Sequence, residues 1–330
     1  MSRVHYIDPR RKILRYPEIL AKIKGGQKVW PINVEMDLAN FCNLKCTWCD
    51  FVYMHDQTYM DYDLACKILR ELALLGIRSI TFTGGGEPTL NPDFARIAEI
   101  AHTSGLHLGL YTNGVEVGQL LSVLNCFDWI YVSLDASSQE TFLRLKGVDA
   151  FHKILDNIAT LRHCTTSTIV GVGFLLCGGN WHSVSEAVDI TRGAVDYVQF
   201  RPVVGDVDYS WVTEALTLLS KYDDCGWIIY SPERFLELLD NSLGVWVRGY
   251  SICRGSELVP CIGASGEVWV CPNTRSLRKL GDLKDESFEQ IWLRRAQQCV
   301  DVGCRVSCRN HYLNQTLEYV CSNGVHRGFV

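Results

Sequence analysis

Between Pro31 and about Arg201 the chain alternates short, apolar, β-rich runs with longer amphipathic stretches. That alternation confines it to repeated βα units built on a parallel sheet. Six runs read as strands: INVEMDL (32–38), IRSITFT (77–83), LHLGLYT (106–112), WIYVSLD (129–135), STIVGVGF (167–174) and VDYVQFR (195–201). Between them, YDLACKILRELALLG, FARIAEIAHTSG, FHKILDNIATLRHC and SVSEAVDITRG carry apolar residues at helical spacing and mostly end near glycine or a turn residue. Six such units predict an α/β fold of the partial (β/α)6 parallel-barrel type. Functional residues of parallel α/β proteins gather at the C-terminal ends of the strands, so the loops after each strand are the places to seek chemistry.

The alternation places the barrel at 31–215, after a helical lead-in at 1–30 with a basic patch (Arg10, Arg11, Lys12, Arg15) that reads as a solvated face. A connecting helical segment is expected at 216–250, and a small Cys-rich α+β module at 251–330. The charge of −5 and pI near 6.0 argue against nucleic acid as a partner. No apolar run is long enough for a membrane span, and the first residues lack the apolar core of a secretory signal, so the expectation is a soluble, cytoplasmic protein with no membrane partner.

Fifteen cysteines, an odd count in a chain of 330 residues without an export signal, point to metal or cluster ligation rather than disulfides. Cys66, Cys126 and Cys164 fall in helix-like stretches and are expected to be small buried hydrophobes. Directly after the first strand, FCNLKCTWCD places Cys42, Cys46 and Cys49 in a C-x3-C-x2-C array. Three thiolates on one loop can hold one metal centre. Tetrahedral zinc would want a fourth ligand, for which His55 is the nearby candidate, whereas a cubane iron-sulfur cluster would keep one iron open to a ligand.

The array, in this position, resembles that of the radical S-adenosylmethionine (SAM) enzyme family, and further motifs follow in the family's order. The resemblance implies that Cys42, Cys46 and Cys49 hold a [4Fe-4S] cluster whose open iron chelates SAM. One-electron reduction, by an external donor such as flavodoxin or ferredoxin, then yields a 5'-deoxyadenosyl radical. Trp48 occupies the position of the aromatic beside the adenine. In TGGGEP, Gly84, Gly85, Gly86 and Glu87 look like the motif that holds the SAM amino group; read alone, the glycines let backbone approach a ligand closely and Glu87 offers an acceptor for an ammonium. The resemblance makes Ser133 and Asp135, in VSLDA, candidates for the SAM ribose and carboxylate, with Asn113 lining the same mouth. Asn113 otherwise reads as a turn residue and Asp135 as a helix cap. Arg201, closing the sixth strand, presents a fork of donors to a carboxylate or phosphate of SAM or of the substrate.

Cys253, Gly266 and Cys271 form C-x12-G-x4-C, read as two strands joined by a turn at Ala264–Glu267, and Cys304 and Cys308 follow in GCRVSCRN. Spacing alone leaves zinc and iron-sulfur open. The module resembles the SPASM or shorter twitch extension of radical SAM enzymes, which implies one auxiliary [4Fe-4S] cluster on Cys253, Cys271, Cys304 and Cys308, with Cys261, Cys299 or Cys321 as substitutes. Cys261 is a candidate hydrogen-atom donor in an epimerisation, and Cys177 is its rival. The expectation is therefore an epimerase acting on a small polar substrate such as a sugar, aminocyclitol or nucleotide-linked sugar, which Arg201, Lys146, Arg144 and His182 would meet. Lys146 and Arg144 read equally well as solvated helix residues. The alternatives are a dehydrogenase passing an electron to the auxiliary cluster, a peptide-modifying maturase and, outside enzymes, a zinc-binding interaction module.

Overall fold

The structure, a computed structural model, describes residues 8–165, 167–205, 208–298, 300 and 304–322. β1 (Asn33–Asp37), β2 (Ser79–Thr83), β3 (His107–Thr112), β4 (Trp129–Ser133), β5 (Ile169–Leu176) and β6 (Tyr197–Pro202) fall on the six expected runs and pair in parallel, in chain order. A seventh strand, β7 (Ile228–Ile229), joins β6 in parallel inside the stretch expected to be helical connection. Two residues cannot display a period of two, so the sequence pattern did not expose it.

The crossovers are helical for local reasons. Asp61 caps the helix Tyr62–Leu74 by accepting the Leu64 N–H, and Ala65, Cys66, Ile68, Leu69 and Leu72 form its buried stripe. The helix Phe94–Thr103 inserts Phe94 between Phe82 and Phe127, with the Phe94 and Phe127 rings stacked at 6.0 Å. Each fully buried ring of this kind contributes roughly 1.5–3 kcal/mol. The sheet's two faces are chemically different. Val34, Met36, Phe82 and Val132 are wholly buried on the helix-covered side. The alternate residues, among them Glu35, Asp37, Thr81, Tyr111 and Tyr131, face the barrel interior.

The C-terminal module is continuous with this sheet. β8 (Cys261–Ile262) pairs in parallel with β1, and β9 (Glu267–Trp269) and β10 (Lys279–Asp282) add antiparallel strands beyond it. The β8–β9 turn holds Gly266 at φ +96, a conformation that a side chain would strain. The lead-in helices (Pro9–Lys12 and Pro17–Lys24) pack through Ile13 and Ile23 on Leu313 and Leu317 of the last helix, His311–Cys321, in a separate small core. Among the described residues no helix is long and apolar enough to cross a membrane. Cys66 is buried and Cys126 half-buried as small hydrophobes, but Cys164 is exposed. It ends the helix Phe151–Cys164, whose buried stripe stops at Leu161.

Candidate active site

The loop carrying the cysteine array is clamped on both flanks. On one side the Gly86 N–H donates to the Ala39 carbonyl at 2.9 Å and the Glu87 N–H to the Phe41 carbonyl at 2.8 Å. On the other, Lys45 and Thr47 donate their N–H groups to the carbonyls of Lys146 and Leu145, the last residues of the helix Gln139–Lys146. A Cβ on Gly86 would lie 2.0 Å from the Phe41 oxygen, so this glycine is required by the loop's own backbone. One cleft at the C-terminal ends of β1–β5 is lined by Cys42, Cys46, Trp48, Cys49, Gly84, Gly86, Glu87, Asn113, Ser133, Asp135 and Lys146. Gly85 is not among the lining residues, and a Cβ there would lie 2.8 Å from Asn40 Oδ1. Arg201 is not among the lining residues and stands one aromatic ring away, 5.0 Å above the Tyr131 centroid.

The electrostatics of the cleft follow from burial. Desolvation pushes the Cys42 thiol up to about 11 and raises those of Cys46 and Cys49, so without a cation the three stay protonated at neutral pH. A bound iron centre reverses that balance by supplying positive charge. Asn113 Nδ2 lies 3.8 Å from Cys42 Sγ and His55 Nε2 lies 3.7 Å from Cys49 Sγ, sulfur contacts of the kind that tune a metal centre. Three sulfurs, two of them with a polar side chain behind, and an open cleft in front fit a cluster with one free coordination position.

Glu87 is buried and its carboxylate accepts from the Thr112 hydroxyl (2.6 Å), the Thr89 hydroxyl (2.8 Å), the Thr89 N–H and the Asn113 N–H (2.7 Å). Burial raises its pKa, against which these four donors pull it down. It thereby fixes the β3 exit loop as well as facing the cleft. Asp135 holds φ at +59 and accepts from the Leu175 N–H at 2.7 Å and from the Lys146 ammonium. It does not cap the following helix; the Ser138 side chain does, accepting the Thr141 N–H. Lys146, weighed as a solvated residue, is buried in the cleft wall. Burial opposes its charge, but Asp135 and the neighbouring thiols favour it, and the net shift is upward. Arg144 instead donates to the Gly179 carbonyl at 2.8 Å, and His182 is exposed. Sequence reasoning missed Tyr111, Thr83 and Thr112 in the lining; their one signal was position at the ends of β2 and β3.

Cys253, Cys271, Cys304 and Cys308 line a second, smaller cavity. Each sulfur has a polar neighbour: Asn314 Nδ2 donates to Cys253 at 3.3 Å and Asn273 Nδ2 to Cys308 at 3.3 Å, the Thr274 hydroxyl lies 3.4 Å from Cys271, and Arg278 is 3.9 Å from Cys304. Four thiols with a complete set of polar partners fit thiolate ligation of a cluster. The substitutes stand elsewhere. Cys261 is fully buried on β8 with its sulfur 3.9 Å from Asp37 Oδ1, Cys321 lies against the lead-in, and Cys299 is outside the described residues. Cys261 lines neither cavity; Cys177 is buried beside Trp48, Leu145 and Val203.

The loops of the two cavities touch. Arg305 pairs with Asp50 at 2.5 Å, the Arg275 guanidinium lies 4.5 Å over the Phe51 ring, and the Tyr53 hydroxyl donates to the Arg275 carbonyl. Arg275 also grips both oxygens of Asp37 at 2.8 Å, while Arg309 engages both oxygens of Glu35.

Residues 36–190 match the Radical SAM superfamily profile. Over 323 residues the chain is 25% identical to the Mycofactocin maturase MftC of Mycobacterium ulcerans (strain Agy99), covering 90% of this chain and 84% of that one. It is 30% identical to the GTP 3',8-cyclase of Chlorobaculum tepidum over 164 residues, a match spanning 49% of the cyclase. Among solved structures, Streptococcus suis SuiB bound to S-adenosylmethionine aligns over 85% of this chain and 68% of its own, with TM-score 0.64 and 13% identity. anSMEcpe with bound AdoMet aligns over 79% and 80%, with TM-score 0.59 and 18% identity.

Proposed function

Since the chain belongs to the radical SAM superfamily, we propose that it oxidises a peptide substrate by hydrogen-atom abstraction, with net loss of two hydrogens. Cys42, Cys46 and Cys49 would hold the SAM-binding [4Fe-4S] cluster, which when bound and reduced cleaves SAM to methionine and a 5'-deoxyadenosyl radical. Glu87 would meet the SAM ammonium, and Lys146, the ammonium among the described lining residues, would meet the carboxylate. Ser133 and Asp135 would border the ribose, and Trp48 the adenine. Cys253, Cys271, Cys304 and Cys308 would hold an auxiliary cluster, which supplies a one-electron acceptor.

The observation that carries this reading is the four-cysteine cavity whose loops clasp the SAM-cluster loop through Arg275 and Arg305. A peptide is favoured over a sugar because SuiB, which shares the fold, was solved bound to a precursor peptide, and anSMEcpe with Kp18Cys peptide. The zinc-module reading gives the Gly-rich clamp and the buried Asp135–Lys146 pair no role. Epimerisation through Cys261 loses its support, since that thiol sits behind Asp37 and outside the cleft lining. Quenching by Cys177 is the second reading, favoured by its packing on Trp48 and Leu145 at the cleft wall.

The test is anaerobic incubation of reconstituted protein in heavy water with SAM, a one-electron reductant and pools of synthetic peptides, reading 5'-deoxyadenosine and product mass. Oxidation gives a product two mass units lighter with no solvent deuterium. A product one unit heavier, carrying one deuterium, refutes oxidation in favour of inversion, and turnover of a sugar alone refutes the peptide.

A further inference from the structure

The barrel interior holds three arginines and two carboxylates outside the Asp135–Lys146 pair. Arg275 and Arg309 are taken up by Asp37 and Glu35 in a closed ion network. Arg201, on the inward face of β6, has no carboxylate partner among the described residues, and its Nε is buried without a hydrogen bond. Arg201 as a whole is half-buried, and a partly desolvated cation without a close counter-charge gains from a ligand that provides one.

Burial opposes the Arg201 charge, which Tyr131, Tyr111 and Asp135 favour from nearby, but no carboxylate stands at ion-pair distance among the described residues. The guanidinium lies over Tyr131, which packs at 5.1 Å on Tyr111 of the cleft wall and at 6.5 Å on Tyr197. Burial raises the Tyr131 and Tyr197 phenols, so both stay neutral. Asp135 is occupied by Lys146 and the Leu175 N–H, and Arg234, which adds to the positive field felt by Arg201, directs its fork onto Ser307. The floor is built for these rings: a Cβ on Gly171 would strike the Tyr197 ring at 2.2 Å and one on Gly173 the Tyr131 hydroxyl at 1.9 Å. Arg201 pairs in register with Leu175, which lines the cleft, so the two residues lie on the same face of neighbouring strands.

We propose that Arg201, resting on Tyr131, is the seat for a substrate carboxylate, so that the substrate peptide presents an acidic side chain or a free C-terminus to the barrel. One guanidinium without an ion-pair partner among the described residues matches one carboxylate, and the planar fork takes its two oxygens together. This rests on the reading of a peptide substrate beside SAM and adds the chemical group by which it is held.

The test is binding without turnover, which keeps it separate from the oxidation assay. Reconstituted holoenzyme with SAM bound is titrated anaerobically with N-acetyl-glutamate N-methylamide and its glutamine isostere; N-acetyl-alanine supplies a C-terminal carboxylate, and inorganic phosphate the competing anion. The parent is expected to prefer a carboxylate probe over the glutamine compound at least tenfold. Arg201→Gln should abolish the preference and Arg201→Lys retain part of it, at unchanged iron content. The better of the two carboxylate probes identifies which source the seat accepts. Equal preference in Arg201→Gln, no saturable binding of either carboxylate, or tighter binding of phosphate overturns the proposal. So does a fall in SAM affinity in Arg201→Gln that matches the loss of probe binding, which would assign Arg201 to the cofactor.

Discussion

Removing Arg275 isolates the Asp37 carboxylate, and the cost can be bounded from the structure. Asp37 is fully buried, and both its oxygens are held by Arg275 at 2.8 Å. Breaking such a pair by deleting one partner costs about 3–5 kcal/mol. An independent ceiling comes from protonation. Burial already raises the Asp37 pKa from 3.8, with Arg275 as the leading opposing influence, so in Arg275→Met the group takes a proton instead of remaining a bare charge. Protonating a carboxyl of ordinary pKa costs about 4 kcal/mol at pH 7 and about 1.5 kcal/mol at pH 5. The sign follows from linkage: the variant's folded-state pKa lies above the unfolded one, so its stability relative to the parent falls as pH rises from about 4. Urea unfolding of holoenzyme at pH 5 and pH 7 should therefore show Arg275→Met destabilised by about 4 kcal/mol at pH 7 and by less than half that at pH 5. Adding Asp37→Asn should restore most of the loss at pH 7, because no charge is left to neutralise. A pH-independent loss, or one below about 1 kcal/mol at pH 7, would refute the reasoning.

Three further expectations follow from the two cavities and the clamp. Cys271→Ala with Cys308→Ala should remove about half of the iron while SAM binding persists; unchanged iron by metal analysis would deny the second site. Gly86→Ala, whose methyl meets the Phe41 carbonyl, should cost at least about 2 kcal/mol and lower iron retention at Cys42, Cys46 and Cys49, read by urea midpoint and absorbance. His311, 3.0 Å from the Tyr250 hydroxyl, has its pKa lowered by burial from 6.5 to about 4. The folded protein thus resists a proton the unfolded chain accepts, and stability should decline by up to about 3 kcal/mol as pH falls from 6.5 to 4, a slope that His311→Gln should flatten.

The parts of this molecule legible in the sequence are those whose signal is local. Six strands announced themselves by apolar runs between amphipathic stretches, and the cysteine array and TGGGEP by residues adjacent in the chain. Lys146 gave no such signal. It closes an exposed-looking helix, and only the return of that helix's carbonyls onto Lys45 and Thr47 brings its ammonium into the cleft. The ion network is less visible still, since Arg275 and Asp37 are 238 positions apart and Arg309 and Glu35 are 274 apart. Gly109, Gly171 and Gly173 carry no side chain to mark a face of their strands, yet each makes room for an inward aromatic ring on the neighbouring strand.

Those distant pairs bear on how the two cysteine sites are related. β8 seats the C-terminal module directly on β1, the strand that leads into the loop of Cys42, Cys46 and Cys49. Arg275 follows Cys271 by four residues and Arg309 follows Cys308 by one, so the loops that present the second set of thiols also drive two guanidinium groups onto Glu35 and Asp37 of β1. A desolvated pair tolerates displacement poorly, because each ångström of separation exposes an uncompensated charge. A displacement of Arg275 or Arg305 would therefore bear on β1 and, through Arg305–Asp50 and Arg275–Phe51, on the residues just after Cys49. A variant that frees the second loops by removing Arg275 or Arg305 should loosen the loop of Cys42, Cys46 and Cys49 without touching a ligand there, whereas replacing Cys271 and Cys308 leaves those arginine contacts in place.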